Sequence, residues 1–263
     1  MIRIRWRKIT ETQAPRPFGW ELRRYQSIYA GLEERGERIE ERGKWKEDIG
    51  DRIEERWPWE AEVLRALEQA REVSRQRFCF LQHSHVFDEK ILWEDPGLSQ
   101  LWRYHLHYFE YVNDLLAWSA MGHADEAYQT FKRLADSWIQ ENQRLMGDGW
   151  HPYTISLRIV NWVHAQSAFQ LQLARDRQFY ERFVSSIYGQ GRILAQDLEL
   201  DVRGNHLLKN LKALIWLGIA FKGAEAEDWL RKALQLLELE LAEQVLPDGG
   251  HFERVPGYRK IRD

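Results

Sequence analysis

The chain holds a single cysteine, Cys79, among its 263 residues. One thiol excludes an internal disulfide and any metal site built from several cysteines, and its expected role is a buried structural thiol. Long apolar runs are also missing. The longest, Ala213 to Phe221, has nine residues, too short to cross a bilayer. The basic opening Met1 to Lys8 is followed by no continuous apolar segment, so no secretory signal is evident. As written, the chain is expected in the cytoplasm, and in the periplasm or outside the cell if the natural N-terminus lies upstream. There is no excess of basic charge, since 38 Lys and Arg against 41 Asp and Glu leave a net charge of −3. A general nucleic-acid binder would carry a basic face. A local cationic cleft for an acidic polymer remains compatible with the balance.

What the chain has in quantity is aromatic surface. Hydrophobic residues make up 44% and aromatics 13%, with thirteen tryptophans, a globular composition. Most of these tryptophans are expected in the core, although indole and phenol rings also serve as platforms for sugars.

Two parts differ in character, giving a division into residues 1–76, a charged helical extension, and 77–263. Pro15 and Pro17 break any helix near the start. Between Glu21 and Arg56, eleven acidic and nine basic residues stand among thirty-six positions. Glu34/Arg38, Glu40/Lys44 and Asp48/Arg52 lie four apart with the acid first, the favourable helical order, which describes a solvated helix or a partner-binding arm. Trp59 to Gln76 reads as a further helix. Phe78 to Leu81 alternates weakly, and Asp95-Pro96-Gly97 forms a turn. Helices are then predicted at 99–121, 124–145, 155–173, 177–198, 205–222 and 226–245. Their apolar positions recur at three and four, as in Leu230, Ala233, Leu234, Leu237 and Leu241. The expected fold is all-α: antiparallel helix hairpins in series, forming an incomplete (α/α) toroid. No tetratricopeptide period is present.

Distinctive polar residues gather at the junctions between these helices, in Trp150-His151-Pro152-Tyr153, Gly204-Asn205-His206 and Gly249-Gly250-His251. The block Leu101-Trp102-Arg103-Tyr104-His105-Leu106-His107-Tyr108-Phe109, the block Pro152 to Trp162, the segment Gly204-Asn205-His206-Leu207-Leu208 and the segment Gly249-Gly250-His251-Phe252-Glu253-Arg254 occur in that order. Together they resemble the motifs of the heparinase II/III family of polysaccharide lyases, over about Arg77 to Asp263. His105 stands where the family has an asparagine. Lys209 stands where many relatives carry an acid.

The resemblance implies β-elimination at a uronic acid. That reaction must neutralise the carboxylate beside C5, remove the C5 hydrogen, and protonate the glycosidic oxygen. On this reading Asn205 is the neutralising amide, Tyr258 the base, acid or both, and His206 a proton-transferring neighbour. Asn205 read by itself is equally a helix cap. His251, Arg254, Arg158 and Arg103 are candidates for substrate contact, the two mid-helix arginines having loop anchoring as their alternative. Trp150, Tyr153 and Tyr108 are candidate sugar platforms, with core packing as theirs. No cofactor is expected, because no P-loop or dinucleotide fingerprint is present, and no metal, because His83 and His85 have no acid or third histidine at helical spacing. Ser156 and Ser186 sit in no Gly-x-Ser-x-Gly turn. The family's toroid is followed by a β-sandwich domain, whereas this chain ends five residues after Tyr258. The expectation is therefore a lyase-like domain, weak or inactive alone, binding acidic polysaccharide and completed by a separately encoded β-sandwich. The alternatives are a non-catalytic carbohydrate-binding remnant and a helical protein-interaction module.

Overall fold

The structure, a computed structural model, describes residues 5–6, 58–143 and 145–246. The charged stretch 21–56 and the residues Tyr258, His251 and Arg254 lie outside the described residues.

Helix α1, Pro58–Ser74, leads into a two-stranded hairpin of β2 (Arg77–Phe80) and β3 (His83–Val86). The short strand β1, Arg5–Trp6, pairs antiparallel with β4, Phe221–Lys222. Leu81 and Gln82 both take positive φ, 54° and 63°. Two consecutive positive φ values give the two-residue turn that matches strand twist. Strand alternation places Phe78 inward and Cys79 outward. The buried thiol expected from composition is therefore corrected: Cys79 is exposed.

Helices α2 (Gln100–Tyr108), α3 (Val112–Ala120), α4 (Ala124–Glu141), α5 (Pro152–Ala168), α6 (Gln170–Arg175), α7 (Arg177–Gln196), α8 (Gly204–Ala220) and α9 (Ala224–Gln244) follow. The fold is all-α, an incomplete toroid of helix hairpins. Burial sorts the helices. Ile155, Ser156, Arg158, Ile159, Val160, Asn161, Trp162 and Val163 of α5 are all buried, so this helix faces protein on most sides, as does α8 with Leu207, Asn210, Leu211, Ala213, Leu214 and Leu217. In contrast, α4 buries the single stripe Ala127, Phe131, Leu134, Ala135 and Trp138, the pattern of an outer helix. Helix α5 packs against α2, α3, α7 and α8, and α8 packs against α9. Gly218 permits that last approach, since a Cβ there would lie 2.9 Å from the Ala226 carbonyl oxygen.

Two expected helices are divided. The stretch 99–121 breaks at Phe109, which adopts left-handed φ 58° as the C-cap of α2. Its buried ring stacks on Trp93 at 5.5 Å and meets Trp162 edge-on at 5.2 Å. Tertiary packing rather than a glycine sets this break. The stretch 155–173 begins earlier, at Pro152, and divides at Phe169, again a fully buried ring. Among the described residues no helix is long and apolar enough to cross a membrane.

Asp114, in the first turn of α3, is partly buried, and desolvation pushes its carboxyl up to about 7 from 3.8. The folded value lies above the unfolded one, so the ionised group opposes folding. The cost is absent below about pH 4, grows as pH rises, and is complete above about pH 7. Each unit corresponds to about 1.4 kcal/mol. Partial exposure and the favourable helix N-terminus reduce the total. Asp114→Asn is expected to stabilise the protein by about 1–3 kcal/mol near pH 8 and to change little near pH 3.5. Urea denaturation at the two pH values checks this, and an equal gain at both would contradict it.

Candidate functional site

Two helix junctions build the site. The first joins α4 to α5. Gly147 turns with φ 91°, and a Cβ on it would lie 2.4 Å from Glu94 Oε1. Asp148 follows in the short 3₁₀ turn Asp148–Trp150. Its carboxylate accepts from Gln100 Nε2 at 3.0 Å and from Arg103 Nε at 2.7 Å. Arg103 Nη1 also donates to the carbonyls of Asp95 and Leu98 at 3.1 and 2.6 Å. Arg103 thus serves as a loop anchor, the alternative open to a mid-helix arginine. His151 caps α5, its Nδ1 accepting from the Tyr153 backbone N–H at 3.3 Å. Pro152 occupies the first helical turn, where a missing N–H costs nothing.

Arg158 lies beneath this junction and is fully buried. Its guanidinium donates to Gln190 Oε1 at 2.8 Å, the His107 carbonyl at 3.2 Å and the Gly149 carbonyl at 2.8 Å. Its Cζ sits 3.8 Å over the Trp138 ring. Burial pushes its pKa well below the ordinary 12.5. Substrate contact by Arg158 is therefore corrected, because it is an internal tie among α2, α5, α7 and the Gly149 turn. Trp150 is also part of the wall. It donates its indole N–H to the Asn142 carbonyl at 2.9 Å and packs beside Trp138 at 5.4 Å.

The second junction joins α7 to α8. The Glu199 backbone N–H donates to Asn210 Oδ1 at 2.9 Å. In return Asn210 Nδ2 donates to Glu199 Oε2 at 3.0 Å and to Ser156 Oγ at 2.8 Å. Arg203 adopts φ 55°, ψ −151°, a region that costs a non-glycine residue about 1–3 kcal/mol. Its side chain pairs with buried Glu240 at 2.8 Å and with Glu243, holding the turn against α9. Gly204 at φ 54° then opens α8.

These junctions bring three of the sequence candidates together. Asn205 is exposed in the first turn of α8, where the capping position belongs to Arg203. Its Nδ2 approaches Tyr153 Oη at 3.4 Å. The Tyr153 ring lies 4.4 Å from the His206 ring, and His206 Nδ1 meets Glu199 Oε1 at 2.8 Å. Tyr108 borders Tyr153 at 5.8 Å, and Tyr104 borders His151 at 5.6 Å. Tyr104 and Tyr108 stand nearly parallel, 6.4 Å apart. Burial is the main force raising the pKa of Tyr108 well above 10, with Tyr153 adding to it. Burial, followed by the charge of Asp148, also raises Tyr104. Both phenols are hydrogen-bond donors rather than bases at neutral pH. Glu199, Asn210 and His151 were absent from the candidates read from sequence. The acid–leucine alternation Asp197-Leu198-Glu199-Leu200-Asp201 resembles a solvated helix end and gives no local signal for a buried carboxylate. Among the described residues no group of three or more His, Cys, Asp or Glu is placed to hold a metal.

A family model, the heparinase II/III N-terminus, matches residues 61–261. No curated sequence matches the chain. Among solved structures, the heparan sulfate lyase HepC from Pedobacter heparinus superposes with a TM-score of 0.61 at 21% identity, covering 72% of this chain and 31% of that one. A heparinase III gene product with methylated lysines gives 0.61 at 19% identity, covering 72% and 33%. A further structure of a heparinase III gene product gives 0.61 at 17% identity, covering 86% and 39%. The chain spans about a third of the length of these solved relatives.

Proposed function

We propose that this chain, which belongs to the heparinase II/III N-terminus family, supplies the Asn205–His206 half of a β-elimination site for a uronate-containing polysaccharide. The observation that carries this reading is the convergence of Asn205, His206 and Tyr153 from two separate helix junctions onto one exposed, aromatic-rimmed patch. An amide that donates to the substrate carboxylate stabilises the enolate-like intermediate formed when the C5 proton leaves. Such a donor contributes about 3–4 kcal/mol in comparable oxyanion sites. His206 moves or holds a proton beside it, and a positioned acid or base contributes about 10²–10⁴-fold. Tyr258 is assigned the second proton-transfer role, with His251 and Arg254 contacting substrate. Tyr153 offers its ring and hydroxyl to the sugar. The relatives' description as heparan sulfate lyase and heparinase favours an acidic glycan of that class.

Exposure of Asn205 and His206 leaves their electrostatic contacts in high dielectric until a ligand or a covering segment excludes water. The 263-residue chain alone is expected to bind acidic polysaccharide weakly and to turn it over little, with a β-sandwich partner domain raising the rate. The aromatic rim of Tyr153, Tyr108 and Tyr104 also supports a second reading, in which the domain binds carbohydrate without cleaving it. The test follows ultraviolet absorbance of the unsaturated uronate product alongside binding. Retention on uronate polymer, loss of retention on the carboxyl-reduced polymer, and turnover on adding the partner domain are expected. Equal binding to both polymers would overturn the uronate reading. Uronate-selective binding without turnover under any complementation would favour the second.

A further inference from the structure

We infer that Glu199 is a positioning residue that sets the tautomer of His206, fixing Nδ1 as the protonated ring nitrogen and leaving Nε2 as the one that exchanges a proton. This rests on the reading of His206 as a site residue. The chain of hydrogen bonds that sets the tautomer starts at the backbone. The Glu199 N–H can only donate, so the Asn210 atom that receives it at 2.9 Å is the carbonyl oxygen Oδ1. The other Asn210 atom is then the amide nitrogen, which donates to Glu199 Oε2 at 3.0 Å. One carboxylate oxygen is thus committed to Asn210. The other, Oε1, can only accept, and it faces His206 Nδ1 at 2.8 Å. A carboxylate there requires Nδ1–H.

The same carboxylate oxygen lies 4.0 Å from His151 Nδ1. That nitrogen already accepts the Tyr153 N–H as the cap of α5, so in neutral His151 it carries no proton to give. The two histidines hold opposite tautomers, and Glu199 serves His206. Glu199 itself is buried, while His206 keeps 42% of its side chain exposed. The carboxylate is therefore shielded from water, and the imidazole remains open to a ligand. The other polar groups around His206 are Tyr153 on α5, Asn205 and Lys209 on α8, and, beyond Tyr153, Tyr108 on α2. The group at hydrogen-bond distance from the ring is Glu199, with Oε1 at 2.8 Å from Nδ1. In proton transfer, neutral His206 takes the proton at Nε2, and the imidazolium so formed keeps its Nδ1–H bond to Glu199. In a serine protease, inverting the tautomer of the equivalent histidine costs about 10⁴ in kcat.

Glu199→Gln makes a sharp test. Asn210 Nδ2 still needs an acceptor, so the glutamine oxygen turns to it and the glutamine NH₂ turns to His206 Nδ1. That nitrogen must then accept, and the proton moves to Nε2. Nitrogen-15 spectra of the substrate-free 263-residue chain, taken above about pH 8 where an ordinary histidine is neutral, read the tautomer directly. Wild type is expected to show Nδ1–H at His206, and Glu199→Gln is expected to show Nε2–H. An Nε2–H wild type, or a glutamine variant that retains Nδ1–H, overturns the inference. Should the variant not fold, the wild-type spectrum still decides. None of these spectra depends on lyase activity, so the tautomer inference and the lyase reading can fail independently. In an assembly that turns over, Glu199→Gln is expected to lower kcat by at least about 10²-fold with KM changed little. Equal changes in kcat and in thermal stability across Glu199→Gln and Glu199→Asp, without a tautomer change, would mark a merely structural residue and also overturn it.

Discussion

Arg158→Ala is expected to destabilise the protein by about 3–5 kcal/mol, the range for breaking one partner out of a buried polar network. The guanidinium reaches three acceptors on three separate segments, Gln190, His107 and Gly149, while its face lies on Trp138. Alanine strands all three acceptors in the buried interior and opens a cavity beside Trp138. Each stranded group costs about 1–3 kcal/mol, partly relieved by relaxation. Arg158→Lys is expected to rescue little, because an ammonium cannot span three divergent acceptors or stack its plane on an indole. Chemical denaturation measures the loss. A change below about 1 kcal/mol would contradict the network reading. The effect extends to the site, since Gly149 is two residues from His151, which caps α5 and carries Tyr153 into the patch. On the proposed function, a surviving Arg158→Ala protein should therefore bind uronate polymer less well even though Arg158 is itself fully buried.

This dual role explains what could and could not be read from residues in order. Periodicity at three and four identified the helices, and the polar junctions Trp150-His151-Pro152-Tyr153 and Gly204-Asn205-His206 marked where side chains would meet. Asn205, His206 and Tyr153 do converge. The helix breaks at Phe109 and Phe169 were not legible, because each is set by a buried ring rather than by glycine or proline. Arg158 was open to substrate contact, since a mid-helix arginine has the same local pattern whether it faces a cleft or the interior. Only the acceptors on α2, α7 and the Gly149 turn decide between them. Glu199 was invisible for a related reason. Its burial depends on Asn210, eleven positions along the chain and on the next helix, so its own neighbours suggest a solvated tail. Cys79 shows the opposite failure. Composition pointed inward, while the alternation of a four-residue strand pointed outward.

The measurement that bears most directly on the proposed function is the effect of Asn205→Ala on product formation by the chain supplemented with a β-sandwich domain of a lyase relative. Asn205 is exposed and does not cap α8, so its removal should leave folding nearly unchanged, and circular dichroism and melting serve as controls. Its proposed bond strengthens as charge develops on the substrate carboxylate, so the loss should fall on the transition state rather than on binding. We expect kcat to fall by about 10²–10³-fold, as for loss of one oxyanion donor, with KM moving by no more than about threefold, because little ground-state binding is lost. Turnover that survives Asn205→Ala, or a loss carried wholly by KM with kcat intact, would contradict the assignment of Asn205 as the group that neutralises the uronate.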